Sequence, residues 1–166
     1  GCAAPCARHH PLPRVVLRAA MQRAESLRGL SREHHEALVL ARRASATATD
    51  PHAAAAQAQS RHLLERWTQQ FAPHFALEEQ TLLPALERAG HGEPAALARL
   101  QHDALRALVE RLRQGDALAL ALWGDAMDIH VRFEERVLFP LAQTIFNPSE
   151  LTDVMKSSAA DPSSSI

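Results

Sequence analysis

The chain has 166 residues, 46% of them hydrophobic and mostly Ala and Leu, with six glycines, no tyrosine and a formal net charge of −1. One domain of this size buries roughly 70% of its unfolded surface, and Ala, Leu, Arg, Glu and Gln together favour helices. The balanced charge lacks the basic footprint of a nucleic-acid binder, and no apolar run approaches the ~20 residues needed to cross a membrane.

Positive charge is almost all arginine, Lys156 being the one lysine, which reads as codon bias of a GC-rich genome. The two cysteines, Cys2 and Cys6, cannot staple a core from the first six residues, and Arg14 and Arg18 interrupt the early apolar stretch. A reducing, cytoplasmic setting is therefore expected.

In chain order, residues 1–13 carry three prolines and no periodicity and are expected to form a flexible arm before one domain over 14–156, with its core at 30–141. Arg14 to Leu27 is compatible with helix but weakly patterned. Gly29-Leu30-Ser31 reads as a break, with Ser31 capping a first helix to about Ala46. Asp50-Pro51 opens a second helix to about Leu83, which Pro73 should kink or reset. Residues 90–94 form a turn, and a third helix follows to about Gln114. Gly115-Asp116 is a tight turn, and a fourth helix from Ala117 should stop at Pro140. Asn147-Pro148 begins a short C-terminal helix to about Lys156, before a Ser-rich disordered tail at 157–166. Four long helices joined by short turns predict an all-α, antiparallel, up-down-up-down four-helix bundle.

Each helix carries an apolar stripe at 3–4 spacing, and each stripe contains a histidine. The stripes are Leu27, Leu30, His34, Ala37, Leu38, Ala41; Leu63, Trp67, Phe71, His74, Leu77, Glu78, Thr81; Ala98, His102, Leu105, Val109, Leu112; and Trp123, Ala126, Met127, His130, Phe133, Glu134, Val137, Leu138. Two segments repeat one pattern, H-x-x-x-E-E-x-x-L-[LF]-P, at His74–Pro84 and His130–Pro140. A His and a Glu four apart lie on one helix face, about 6 Å apart along the axis and ~40° around it. Such a pair chelates a transition metal, and burying two carboxylates costs several kcal/mol per ion unless cations compensate. His34, His74, Glu78, His102, His130 and Glu134 are thus the candidate metal ligands. His35 tracks with Ser31 and Arg42 and should face solvent or flank the site. Glu79 and Glu135 lie about 140° round the helix from their histidines, where a salt bridge to an arginine is the expected role, with a place as ligands or as partners of ligands as the alternative.

These motifs resemble the bacterial hemerythrin-like HHE cation-binding domain. The resemblance rests on Arg32-Glu33-His34-His35-Glu36-Ala37-Leu38, the two H-x-x-x-E-E segments and Gln101-His102-Asp103, and covers about Leu30 to Leu141. It implies a four-helix bundle around two iron ions joined by an oxo or hydroxo bridge, with the six residues above as ligands and Glu78 and Glu134 bridging. Zinc or manganese would be alternative ions. It also implies O2 or NO as a small-molecule ligand, or sensing of iron availability. The invertebrate oxygen carriers have a second His four residues after the third-helix His, where this chain has Arg106, and an Asp five after the last His, where it has Glu at four. One metal is therefore expected to have fewer protein donors than in the carriers, and an open position. Trp67, Leu77, Leu105, Trp123 and Phe133 are expected to line the ligand pocket. Binding is favoured over catalysis, so no catalytic residue is assigned. A di-iron oxidase or peroxide-handling enzyme, and a metal-responsive regulatory or scaffold module acting through a protein partner or a homo-oligomer, are the alternatives.

Overall fold

The computed structural model describes residues 22–157, and every regular element among them is helical. The expected arm at 1–13, with Cys2 and Cys6, and nearly all of the expected tail lie outside the described residues. The elements are α1 (Glu25–Ser45), a 3-10 turn (Ala46–Thr49), α2 (Ala54–Arg66), a π-turn (Trp67–Phe71), α3 (Ala72–Gln80), α4 (Leu82–Arg88), α5 (Gly92–Arg113), α6 (Leu118–Phe133), a second π-turn (Glu134–Leu138), α7 (Phe139–Ile145) and α8 (Pro148–Lys156). They join end to end into four long rods, 25–45, 54–88, 92–113 and 118–145, followed by α8.

Three sequence expectations about helix boundaries are corrected. No break occurs at Gly29-Leu30-Ser31, because α1 begins at Glu25 and runs through it. Leu27 and Leu30 are buried, which outweighs the ~1 kcal/mol that Gly29 costs in a helix. The Ser31 hydroxyl donates to Glu135 at 2.7 Å instead of capping a helix. The second helix neither ends at Leu83 nor stays regular, since it resets at Thr81 (φ −122°) and continues to Arg88. Pro84 falls in the first turn of α4, where a missing N–H is tolerated. The fourth helix does not stop at Pro140 but continues to Ile145. Pro73 and Pro140 both sit at the second position of the α-segment that follows a π-turn. Each π-turn widens the helix where a proline withholds an N–H from the preceding turn.

Side-chain pairs give the rod directions. Ser31 meets Glu135 while Ser45 meets Asp125, so α1 and the 118–145 rod run in opposite directions. Glu79 meets Arg106 while Glu87 meets Arg99, so the 54–88 rod and α5 do the same. Gly124 lets α1 and α6 approach closely, since a Cβ there would lie 2.5 Å from the Ala41 carbonyl oxygen. The Gly115 turn (φ 90°) joins α5 to α6, and Asp116 accepts from the Leu118 N–H at 3.1 Å. Asn147 and Glu150 form a capping box that starts α8.

The apolar core is split in two. One cluster holds Ala37, Leu63, Phe75, Leu105, Trp123 and Val131, and the other Leu30, Leu82, Ala98, Leu138 and Phe139. Along each rod the boundary falls at the same level: between Leu30 and Ala37, Phe75 and Leu82, Ala98 and Leu105, and Val131 and Leu138. The intervening layer is polar.

Candidate metal centre

That layer consists of His34, His74, Glu78, His102, His130 and Glu134, all buried, with both glutamates, His102 and His130 fully so. Each rod supplies one histidine because each stripe carries one, and two rods add a glutamate four residues on. Helical spacing brings His74 Nε2 to 3.2 Å from Glu78 Oε1, and His130 Nε2 to 3.4 Å from Glu134 Oε2. The glutamates also reach across the rods. Glu134 Oε2 lies 3.0 Å from His34 Nε2, and Glu78 Oε2 lies 3.3 Å from His102 Nε2. The result is two four-residue groups, His34/His74/Glu78/Glu134 and Glu78/His102/His130/Glu134, each with donor atoms within 4.8 Å of one another. Both glutamates belong to both groups.

The other nitrogen of each ring is occupied. His34 Nδ1 lies 2.8 Å from Glu135, His74 Nδ1 2.6 Å from Glu33, His102 Nδ1 2.8 Å from Glu79, and His130 Nδ1 3.0 Å from Gln101. With each Nδ1–H donating, all four Nε2 atoms present a lone pair to the centre. The partners form a closed circuit. The first rod holds the histidine of the second, the second that of the third, the third that of the fourth, and the fourth that of the first. Glu79 and Glu135 do pair with arginines, Arg106 and Arg23, as expected, but also take these histidines. Sequence reasoning missed Glu33 and Gln101. Each directly precedes an inward histidine, an adjacency that signals a flank position but not the neighbouring rod it touches.

Without cations, the same contacts favour protons on three of the four rings. Burial opposes protonation of His74, yet the Glu78 charge and the bond to Glu33 raise its pKa to about 10. Burial likewise opposes charge on His102 and His34, but the surrounding glutamates raise them to about 9 and about 8. At His130, whose Nδ1 partner is a neutral amide, burial wins and the pKa falls to about 4. Burial pushes both central carboxyls up, and the Glu134 charge adds to this at Glu78, but the imidazoles outweigh it and hold both below the usual range.

His35 is exposed on the outer face of α1, away from both groups. Of the expected lining residues, Trp67, Leu105 and Trp123 are buried in the cluster containing Phe75, and Phe133 packs partly buried against the other, but none of the five walls the small cavity beside the centre. Leu77 is corrected: it is 38% exposed, one position off the inward face shared by His74 and Glu78. A cavity of about 10 Å³ abuts the centre and is walled by His34, His74 and His130 with Phe71, Phe75 and Met127. Arg106 points away from the centre and forks onto Glu79 at 2.8 and 2.9 Å. The two groups carry equal sets of two histidines and two shared glutamates, so neither has a third histidine.

The residues fit a pair of cations. All four oxygens of Glu78 and Glu134, with Nε2 of His102 and His130, are buried and have no hydrogen-bond partner among the described residues. Orphaned carboxylate oxygens at full burial require a counter-charge. Fold and site together define a helical protein with a buried His/Glu cation-binding centre. The family model of the hemerythrin HHE cation-binding domain matches residues 25–142, and the chain belongs to that family. No curated protein and no solved structure matches the chain.

Proposed function

We propose that this chain is an antiparallel up-down-up-down four-helix protein that holds two iron ions and binds O2 or NO. One ion would be held by His34 and His74, the other by His102 and His130, with Glu78 and Glu134 shared between them. The observation that carries the reading is the set of orphaned carboxylate oxygens ringed by four Nε2 atoms. Mixed nitrogen and oxygen donors suit iron, and four protein donors per ion would leave positions open for a diatomic ligand on an ion that takes five or six. Ferrous ions there would supply a redox-active centre with affinity for diatomic ligands.

The chain's own residues set the conditions. Glu135, Glu33 and Glu79 accept the Nδ1 protons of His34, His74 and His102, which fixes the ring tautomers and raises imidazole basicity. Gln101 orients His130 without adding charge. Phe75 stacks on His102 at 4.0 Å and Phe139 on His34 at 5.3 Å, closing both faces of the layer to water. The adjoining 10 Å³ cavity has room for about one small molecule. Anaerobic loading with Fe(II), followed by O2 or NO, is the test. New visible absorption on exposure is expected, and an unchanged spectrum would reject the diatomic-ligand reading.

A metal-responsive module is the second reading, favoured by Glu78 and Glu134 at 0% exposure. Removing the cations leaves these carboxylates to be neutralised by protons alone, which should loosen the layer. Such a module would signal through a protein partner.

A further inference from the structure

A surface cleft of about 310 Å³ opens between α1 and α2 on the side of the molecule where the small cavity lies. Its rim carries the Arg43 cation, an Arg66–Glu36 ion pair at 3.1 Å, and the imidazoles of His35 and His62, and its floor is Leu40 and Phe71. Phe71 also walls the 10 Å³ cavity, and it is the one residue common to the two linings. One ring therefore separates solvent from a space bounded by His34, His74 and His130.

The ring's setting suits a movable partition. Phe71 is 3% exposed and its ring meets Trp123 at 5.8 Å, tilted by 41°. It is the last residue of the Trp67–Phe71 π-turn, two before Pro73, where the regular helical ladder is interrupted. Packing around the other rings of the layer is tighter, with Phe75 stacked on His102 at 4.0 Å. On the cavity side Met127 offers a flexible, unbranched chain that can yield as Phe71 turns.

We infer that Phe71 admits small molecules from the α1–α2 cleft to the cavity beside His34 and His74, and sets the size limit on what enters. At about 10 Å³ the cavity has room for about one water-sized molecule, so a diatomic or triatomic one would enter only as the ring moves. The cationic rim raises the local concentration of anions but leaves neutral molecules unaffected. This inference rests on the proposed function for its purpose, but not for its test.

The Met127 methyl group reports on the cavity without any metal. In protein carrying ¹³C-methyl methionine, dissolved O2 relaxes each methyl in proportion to its access. Phe71→Leu, which keeps the site apolar, is expected to raise the O2-induced relaxation of Met127 about twofold, and Phe71→Trp to lower it by about half, with Met155 unchanged. Equal relaxation of Met127 in all three proteins, or parallel changes at Met155, would overturn the inference. In iron-loaded protein, Arg43→Glu is expected to slow azide association about fivefold while leaving the O2 effect on Met127 unaltered. An unchanged azide rate would overturn the cleft as the route. Failure to bind iron with the Met127 responses intact would reject the proposed function and leave the role of Phe71 standing.

Discussion

At the scale of residues, the centre is defined less by its six inward donors than by what holds them. Each imidazole is fixed through Nδ1 by a side chain from the preceding rod, so removing one partner frees a ring without touching a donor. Glu79→Gln and Gln101→Ala are each expected to weaken metal binding by about 10- to 100-fold, measured by competition with a calibrated chelator. An affinity equal to wild type would show that the circuit is incidental. The same contacts predict how the metal-free protein responds to pH. His74 and His102 titrate at about 10 and about 9 in the fold, against ~6.5 unfolded, so the folded state prefers their protonated forms. Their stabilisation is complete below about pH 6.5 and is lost as pH rises through 9 to 10. Thermal melts of metal-free protein should therefore fall across that window. Metal-loaded protein should weaken on the acid side, where protons compete for the same Nε2 atoms. Glu135, pushed up by burial but held at about 2 by His34, Ser31 and Arg23, adds stability that disappears only as pH falls through that value.

The inward position of these histidines and glutamates was legible in the sequence, because a 3.6-residue period places His34, not His35, beside Leu30 and Ala37, and places each Glu one turn beyond its His. The circuit was not legible. Glu33 reads as a helix-flanking acid, and only the second rod, 41 positions away, reveals that it holds His74.

At the scale of elements, the prolines account for most of the misreading. A proline inside a helix reads as a stop or kink, yet both Pro73 and Pro140 continue their rods because a π-turn precedes each. The second π-turn begins at Glu134, and the offset it introduces leaves Val137 at 48% exposure, off the core stripe on which the regular period places it. At Gly29 the local propensity lost to burial of Leu27 and Leu30, a tertiary effect that local sequence does not carry. The α1–α6 contact gives a sharper test of packing. Gly124→Ala sets a methyl against the Ala41 carbonyl and Ser45, so it should destabilise the protein by about 1–3 kcal/mol, read from chemical denaturation. A shift below a few tenths of a kcal/mol would mean that the rods separate more readily than this contact allows.

At the scale of the whole molecule, two apolar clusters clamp a charged layer between them. Folding and cation binding are therefore expected to be coupled. Hydrogen exchange should show the largest gain in protection on metal loading at amides near residues 34, 74–78, 102 and 130–134, and less at α8. The helical class and the His/Glu cation centre were both readable from stripe and repeat. The partner of Arg106 was not, because only the fold brings Glu79 beside it. Sharing of Glu78 and Glu134 is the central feature of the account, and iron content after anaerobic Fe(II) loading and desalting tests it most directly. Wild-type protein should retain two irons per chain, His74→Ala about one, and Glu134→Ala close to none, since both sites use that carboxylate. Retention of one iron by Glu134→Ala, or of fewer than two by the wild type, would contradict a shared dinuclear centre.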